Sequence, residues 1–266
     1  MKKLLKIPAM SQQDKGVGFR ALVGREIQRF LSVFGQTVLP PVVSSFLYIF
    51  IFGFSIGRSL NKVSGVSYLE FLVPGLIMMY LIEGSYGNTS SSLFVSRWAN
   101  HIQEILVTPL SYMEIVLAIL IGGLVRSVMT GLGVYLVSLI FVHFPIYNVW
   151  VVLYFLIFVS LGFSSVGILV GLAAEEFEHI SMWTTFVVEP LIFFGGVFHS
   201  LQMVPHILKG VTLVNPIFYM VNGLRYGMIG VTDANIFLCM GVVFVFFTLL
   251  FLFSVHLFRI GYKLRS

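Results

Sequence analysis

Three ionisable residues, Glu83, Arg126 and Glu189, lie inside long apolar runs where lipid is the expected surroundings. A charge held near the middle of a bilayer costs at least about 2.5–3.5 kcal/mol unless it finds a partner. Such residues therefore mark ion pairs, proton relays or substrate paths. Glu83 and Arg126 are placed symmetrically about positions 104 and 105. In an antiparallel hairpin they would stand at matching height, about 18 Å deep at a rise of about 1.5 Å per residue. The spacing predicts that the two pair, or face one another across a polar interior. Glu189, just before Pro190, competes for Arg126. A purely structural ion pair and a role in transport both fit this pattern.

Other chemistry is missing from the sequence. It contains no Gly-Lys dipeptide and hence no phosphate-binding P-loop. The histidines at 101, 143, 179, 199, 206 and 256 are scattered without ligand spacing, so no metal site is expected. No serine sits in a nucleophile context, and no catalytic residue or cofactor is predicted. Energy for uphill movement must then come from an ion gradient or from another polypeptide.

The composition says where the chain resides. Of 266 residues, 58% are hydrophobic and 10% charged, with a mean hydropathy of +0.98. Soluble domains carry about 25% charged residues, so this is an integral membrane protein. The net charge of +5 does not indicate nucleic acid, because the basic residues cluster at the ends of apolar runs, where they set topology. Cys239, the single cysteine, lies within the last run and reads as a packing residue. Residues 1–35 lack the continuous apolar stretch of a secretory signal.

The elements that position the charges follow from periodicity. Residues 1–17 read as a basic tail. Over 18–34, Phe19, Leu22, Val23, Ile27, Phe30, Leu31 and Phe34 line one helical face, with Arg20, Arg25, Glu26, Gln28 and Arg29 opposite. That is an amphipathic helix suited to the membrane interface. Six spans are predicted at about 36–56, 69–94, 112–142, 149–172, 180–198 and 236–258, forming one transmembrane domain over 36–258. The third is longer than a bilayer needs and either continues straight into the cytoplasm or bends at Gly122-Gly123.

Lys2, Lys3, Lys6, Lys15, Arg20, Arg25, Arg29, Arg97, Arg259, Lys263 and Arg265 outweigh Arg58, Lys62, Lys209 and Arg225 on the other side. Both termini, including the basic tail at 259–266, are therefore expected to be cytoplasmic. The inner half of the second run is small and polar (Ser85, Gly87, Asn88, Thr89, Ser90, Ser91, Ser92), which suits close helix packing or a wet path. Gly53/Gly57 and Gly167/Gly171 read as packing pairs.

Two further stretches stand out. Residues 97–110, between the second and third runs, are polar, yet Trp98, Ile102, Ile105 and Leu106 recur at helical spacing. Locally this is either a short amphipathic helix on the cytoplasmic side or a solvated loop with one helical turn. Residues 199–235 are too apolar for a free loop and are broken by Pro205 and Pro216. They form either half-helices dipping into the outer leaflet or an external cap on the bundle.

Several segments together resemble the ABC-2 family of transporter permeases, including its YadH-like and nodulation-exporter-like inner-membrane members. They are Pro74-Gly75-Leu76-Ile77-Met78-Met79, the stretch Ile102 to Ser111, Gly195-Gly196-Val197-Phe198 with Ser200-Leu201, and Leu213 to Gly227. The likeness covers nearly the whole chain.

The resemblance implies an all-α, six-span permease with an N-terminal interface helix and re-entrant half-helices before the last span. It implies a non-enzymatic transport subunit in a bacterial inner membrane, working as a homodimer with two copies of a cytoplasmic ABC ATPase that binds ATP and Mg. The cargo would be a lipid, glycolipid, polysaccharide or drug-like amphiphile moved outward. By the same likeness, Arg97, His101, Glu104, Leu106 and Pro109 belong to a coupling helix that docks on the ATPase. Asn215, Pro216, Tyr219, Gly223 and Arg225 belong to the re-entrant element. The family pattern implies a small or hydroxyl residue at Glu189, so its charge is a departure. The rival reading is a gradient-driven secondary transporter using Glu83, Arg126 and Glu189, although no inverted repeat is evident.

Overall fold

The computed structural model describes residues 12–55, 62–143 and 145–264. Parts of the expected N-terminal tail, Gly57, Arg58 and Arg265 lie outside them. Among the described residues the chain is helical, with one isolated bridge between Val63 and Val66 and no strand. The helices are α1 (Gln12–Leu31), α2 (Phe34–Thr37), α3 (Leu39–Ser55), α4 (Tyr68–Trp98), α5 (Ile102–Leu106), α6 (Tyr112–Ser138) and α7 (Val149–Ala173). They are followed by α8 (Phe177–Trp183), α9 (Glu189–Phe194), α10 (His206–Val214), α11 (Pro216–Ile229) and α12 (Ile236–Ile260).

Five helical segments are long and apolar enough to cross a membrane: Phe34–Gly53, α4, α6, α7 and α12. The expected span at 180–198 is not among them. It runs from α8 to α9 through a π-helical turn at Thr184–Val188, and ends where Gly196 takes a φ of +79°. The pair α10–α11 is bent by 84° at Asn215.

Local signals start the helices. Ser67 and Ser111 each form a reciprocal capping box with Glu70 and Glu114, three residues on, which fixes the beginnings of α4 and α6. Asn148, Asn215 and Asn235 accept hydrogen bonds from the first-turn amides of α7, α11 and α12.

α4 is the axis of the molecule. Of its apolar stretch 83% is buried, against 17% for the first span and for α12. α6, α7 and α11 pack around it. The polar inner half of α4 serves this packing. Ser85 and Ser90 return their hydroxyls to carbonyls of their own helix, and Thr89 reaches Ser164 O of α7 at 2.9 Å. Opposite it, Gly167 and Gly171 let the α7 backbone lie against Tyr86, Ser90 and Leu93, where a Cβ would collide.

α6 is one continuous α-helix through Gly122-Gly123. These glycines admit Glu26 on one side and Thr89 with Ser164 on the other.

α1 departs from the expected arrangement. It runs beside α6, touching Leu110 just before that helix and Gly122 within it, and its buried stripe is Leu22, Glu26 and Phe30. Glu26, assigned by periodicity to the outward polar face, is fully buried. The reason is a complementary patch. Its carboxylate accepts the Ser92 hydroxyl at 2.6 Å and pairs with Arg25 at 3.0 Å and Arg29 at 3.5 Å. Arg29 in turn donates to Asn88 O and Oδ1, both at 2.9 Å.

Candidate functional site

The stretch between α4 and α6 forms a knuckle at one end of the bundle. α5 turns Ile102 and Ile105 inward, where they join a core with Leu93, Ile115 and Phe258. His101, Gln103, Glu104, Val107 and Pro109 are exposed, with Val107 at 83%. Leu106 is half-buried and packs on the same core. Grooves of about 290 Å³ and 650 Å³ flank the helix, the first toward Ala174 and Lys263, the second toward Tyr112 and Arg259.

Arg97 has a different position from its neighbours in sequence. It donates to the carbonyls of Gly171 (2.9 Å), Leu172 (2.8 Å) and Ala174 (3.0 Å), and its Nε donates to Lys263 O at 2.9 Å. Carbonyls at the end of α7 have no partner within their own helix and carry its negative dipole end, so a guanidinium there is doubly satisfied. Arg97 thus joins the ends of α4 and α7 to the C-terminal segment.

Lys263 completes this joint by donating to Ala173 O at 3.1 Å and to the Glu175 carboxylate at 2.9 Å. The hydrogen bond and charge of Lys263 hold the Glu175 carboxyl below its ordinary value. A depressed carboxylate contributes stability above its unfolded pKa and loses it as the pH falls through the folded one. Hydrogen exchange at Lys263 and Leu264 is therefore expected to stay slow into the acid side of the usual carboxylate range. Glu175→Gln should remove that pH dependence.

The intramembrane charges are arranged differently from the prediction. The matching height holds, because Gly84 packs on Ser127 of α6 and the two neighbouring charges share a level. The pairing does not hold: no ion pair joins Glu83 to Arg126. The seam between α4 and α6 is filled by Gly84, Ser127 and Thr130. Glu83 has the Glu189 carboxylate as its charge neighbour, and Arg126 has Arg29.

Asn215, Pro216, Tyr219, Gly223 and Arg225 lie at the bend between α10 and α11 and along α11. Asn215 caps α11 and donates its Nδ2 to Leu191 O at 2.6 Å, and Pro216 occupies the first turn. Tyr219 donates to Leu213 O at 2.9 Å across the bend. Gly223 gives the Phe155 ring of α7 its space. Arg225 is 1% exposed and lies 3.6 Å over the Phe71 ring. It donates to Phe71 O at 3.3 Å and Gly196 O at 2.8 Å. These contacts lock α11 to α4 and to the turn after α9.

The most informative residue that periodicity missed is Glu26. A carboxylate next to Arg25 and one helical turn before Arg29, with a serine-rich helix elsewhere in the chain, was the available signal. Among the described residues no cluster of His, Cys, Asp and Glu could hold a metal.

Residues 17–229 match the family described as ABC-2 type transporter. The chain belongs to that family. Among ABC-2 relatives, it is 38% identical over 250 residues to the "Inner membrane transport permease YadH" of Escherichia coli K12, covering 94% of this chain and 98% of that one. It is 24% and 25% identical over 228 residues to "Nodulation protein J" of Rhizobium leguminosarum bv. viciae and of Rhizobium meliloti. Each of those alignments covers 84% of this chain and 86% of the relative. An ABC-2 permease is a multi-pass inner-membrane transport subunit that works with a separate ATPase.

Proposed function

We propose that this permease exports an amphiphile (lipid, glycolipid, polysaccharide or drug-like), as a homodimer driven by two copies of a cytoplasmic ABC ATPase. Both termini and α5 would then lie on the cytoplasmic side, as the basic residues suggest. The observation that carries this reading is the form of α5. Its inner face is anchored in the core, its outer face offers Glu104 and Val107, and grooves lie on both sides. It also sits at the tip of α4, the most enclosed helix, so displacement at α5 reaches the centre of the bundle.

The gradient-driven alternative finds less support, because no ion pair joins Glu83, Arg126 and Glu189 among the described residues. A relay needs its groups within reach of one another.

The test is co-purification in detergent with Walker-motif ATPases of the same cell. Glu104→Arg and Val107→Asp are the variants to use, since Leu106 is partly structural. An ATPase retained by the native chain and lost, at least tenfold, by the double variant supports the reading. Equal retention by both sinks the assignment of α5.

A further inference from the structure

The seam between α1 and α6 holds more positive charge than the protein itself answers. Arg25 and Arg29 meet Glu26 there, and Arg126 stands one turn along α6 from Gly122, which packs on Glu26. That carboxylate is already used by Arg25, Arg29 and Ser92. Arg126 has no hydrogen-bond acceptor and no ion-pair partner among the described residues, and its Nε is buried and unpartnered. Asn88 Nδ2 is likewise buried without an acceptor, in a side chain that is 0% exposed. It lies against Gly122, one turn from Arg126 on α6. Two unspent donors thus lie buried along one seam, and an unanswered cation among apolar helices is costly.

The depth of the seam narrows the missing partner. α4 has 31 residues and is about 46 Å long, beyond the roughly 30 Å of a hydrocarbon core. Counted from Tyr68, that core is crossed at about Asn88. Arg29, bonded to Asn88, therefore stands at the headgroup boundary on the α5 side, and Arg126, level with Glu83, lies about 7.5 Å deeper, short of the midplane expected from sequence. A long guanidinium stem at that depth reaches back toward the boundary. Guanidinium groups match phosphate oxygens by two parallel hydrogen bonds.

We propose that the guanidinium groups of Arg29, held in place by the buried Asn88, and Arg126 bind the phosphate headgroup of an anionic phospholipid from the leaflet on the α5 side. This assignment does not depend on what the permease transports.

The test uses the intact chain, purified in detergent, with native mass spectrometry during titration with phosphatidylglycerol, phosphatidylcholine and inorganic phosphate. The expected result is a retained phosphatidylglycerol adduct, favoured at least about tenfold over phosphatidylcholine and not displaced by equimolar phosphate. Arg126→Gln should weaken it about ten- to a hundredfold, and Arg126→Lys should keep part of it. Equal retention of the two lipids, or an unchanged adduct in Arg126→Gln, would overturn the proposal. Displacement by inorganic phosphate would assign the site to the free anion and overturn the lipid. Where Arg126→Gln does not fold, the native lipid selectivity and Arg126→Lys decide.

Discussion

Glu26→Ala is expected to lower stability by about 3–5 kcal/mol and to free α1 from the bundle. The size follows from what the carboxylate does. It is fully buried between α1, α4 and α6, it answers two arginines, and it accepts a hydroxyl at 2.6 Å. Removing it leaves Arg25 and Arg29 facing the already uncompensated Arg126, so repulsion adds to the lost contacts. Glu26→Gln keeps the shape and one acceptor, and its cost should lie between native and Ala. Denaturant unfolding in detergent measures the difference, and hydrogen exchange localises it. Exchange in Gln12–Leu31 should rise toward the unfolded rate while α4 and α7 stay protected. Uniform loss of protection, or a change below about 1 kcal/mol, would contradict the anchoring role.

Gly223→Ala carries the second large effect, with an expected cost at or above the usual 1–3 kcal/mol of overpacking. The added Cβ would fall onto the ring of Phe155, which is fully buried between α7 and α11. Neither helix has room to give, because Gly227, one turn on, is pressed against Val152. Phe155→Leu alone should also destabilise, by opening a cavity. The double variant should be less damaged than the sum of the singles, since the smaller side chain vacates the space the methyl needs. Strict additivity in that cycle would show that the close approach is not what Gly223 is for. Arg225, on the same helix, gives an independent check, because its bonds to Phe71 O and Gly196 O should survive Phe155→Leu.

The sequence conveys heights better than faces. Apolar runs marked the spans, and symmetry about the α4–α6 turn placed Glu83 and Arg126 level, as the Gly84–Ser127 contact bears out. Which way each side chain points depends on which small residues fill the seam, and that is a property of two helices at once. The same limit explains α1. Its periodicity revealed a polar face, but whether that face meets water or a polar patch is set by Ser92 and Asn88, 66 and 59 positions from the residues they bond. The helix after Ala174 was hard to delimit because its π-helical turn shifts the register within an otherwise apolar run. In the segment before α12, the turn residues were readable. Asn215-Pro216 starts a helix by its chemistry, and Gly230, at φ +74°, stops it.

The joint at Arg97 has a practical consequence for anyone handling this protein. Since one guanidinium holds the tail of α4, the end of α7 and the backbone of Lys263 together, the chain's C-terminal segment is stitched to the base of α5. An affinity tag or fluorescent fusion appended there would stand beside the exposed residues of the knuckle, close enough to shield them. Labels meant to leave that face open belong on the far end of the molecule, in the turn between α11 and α12.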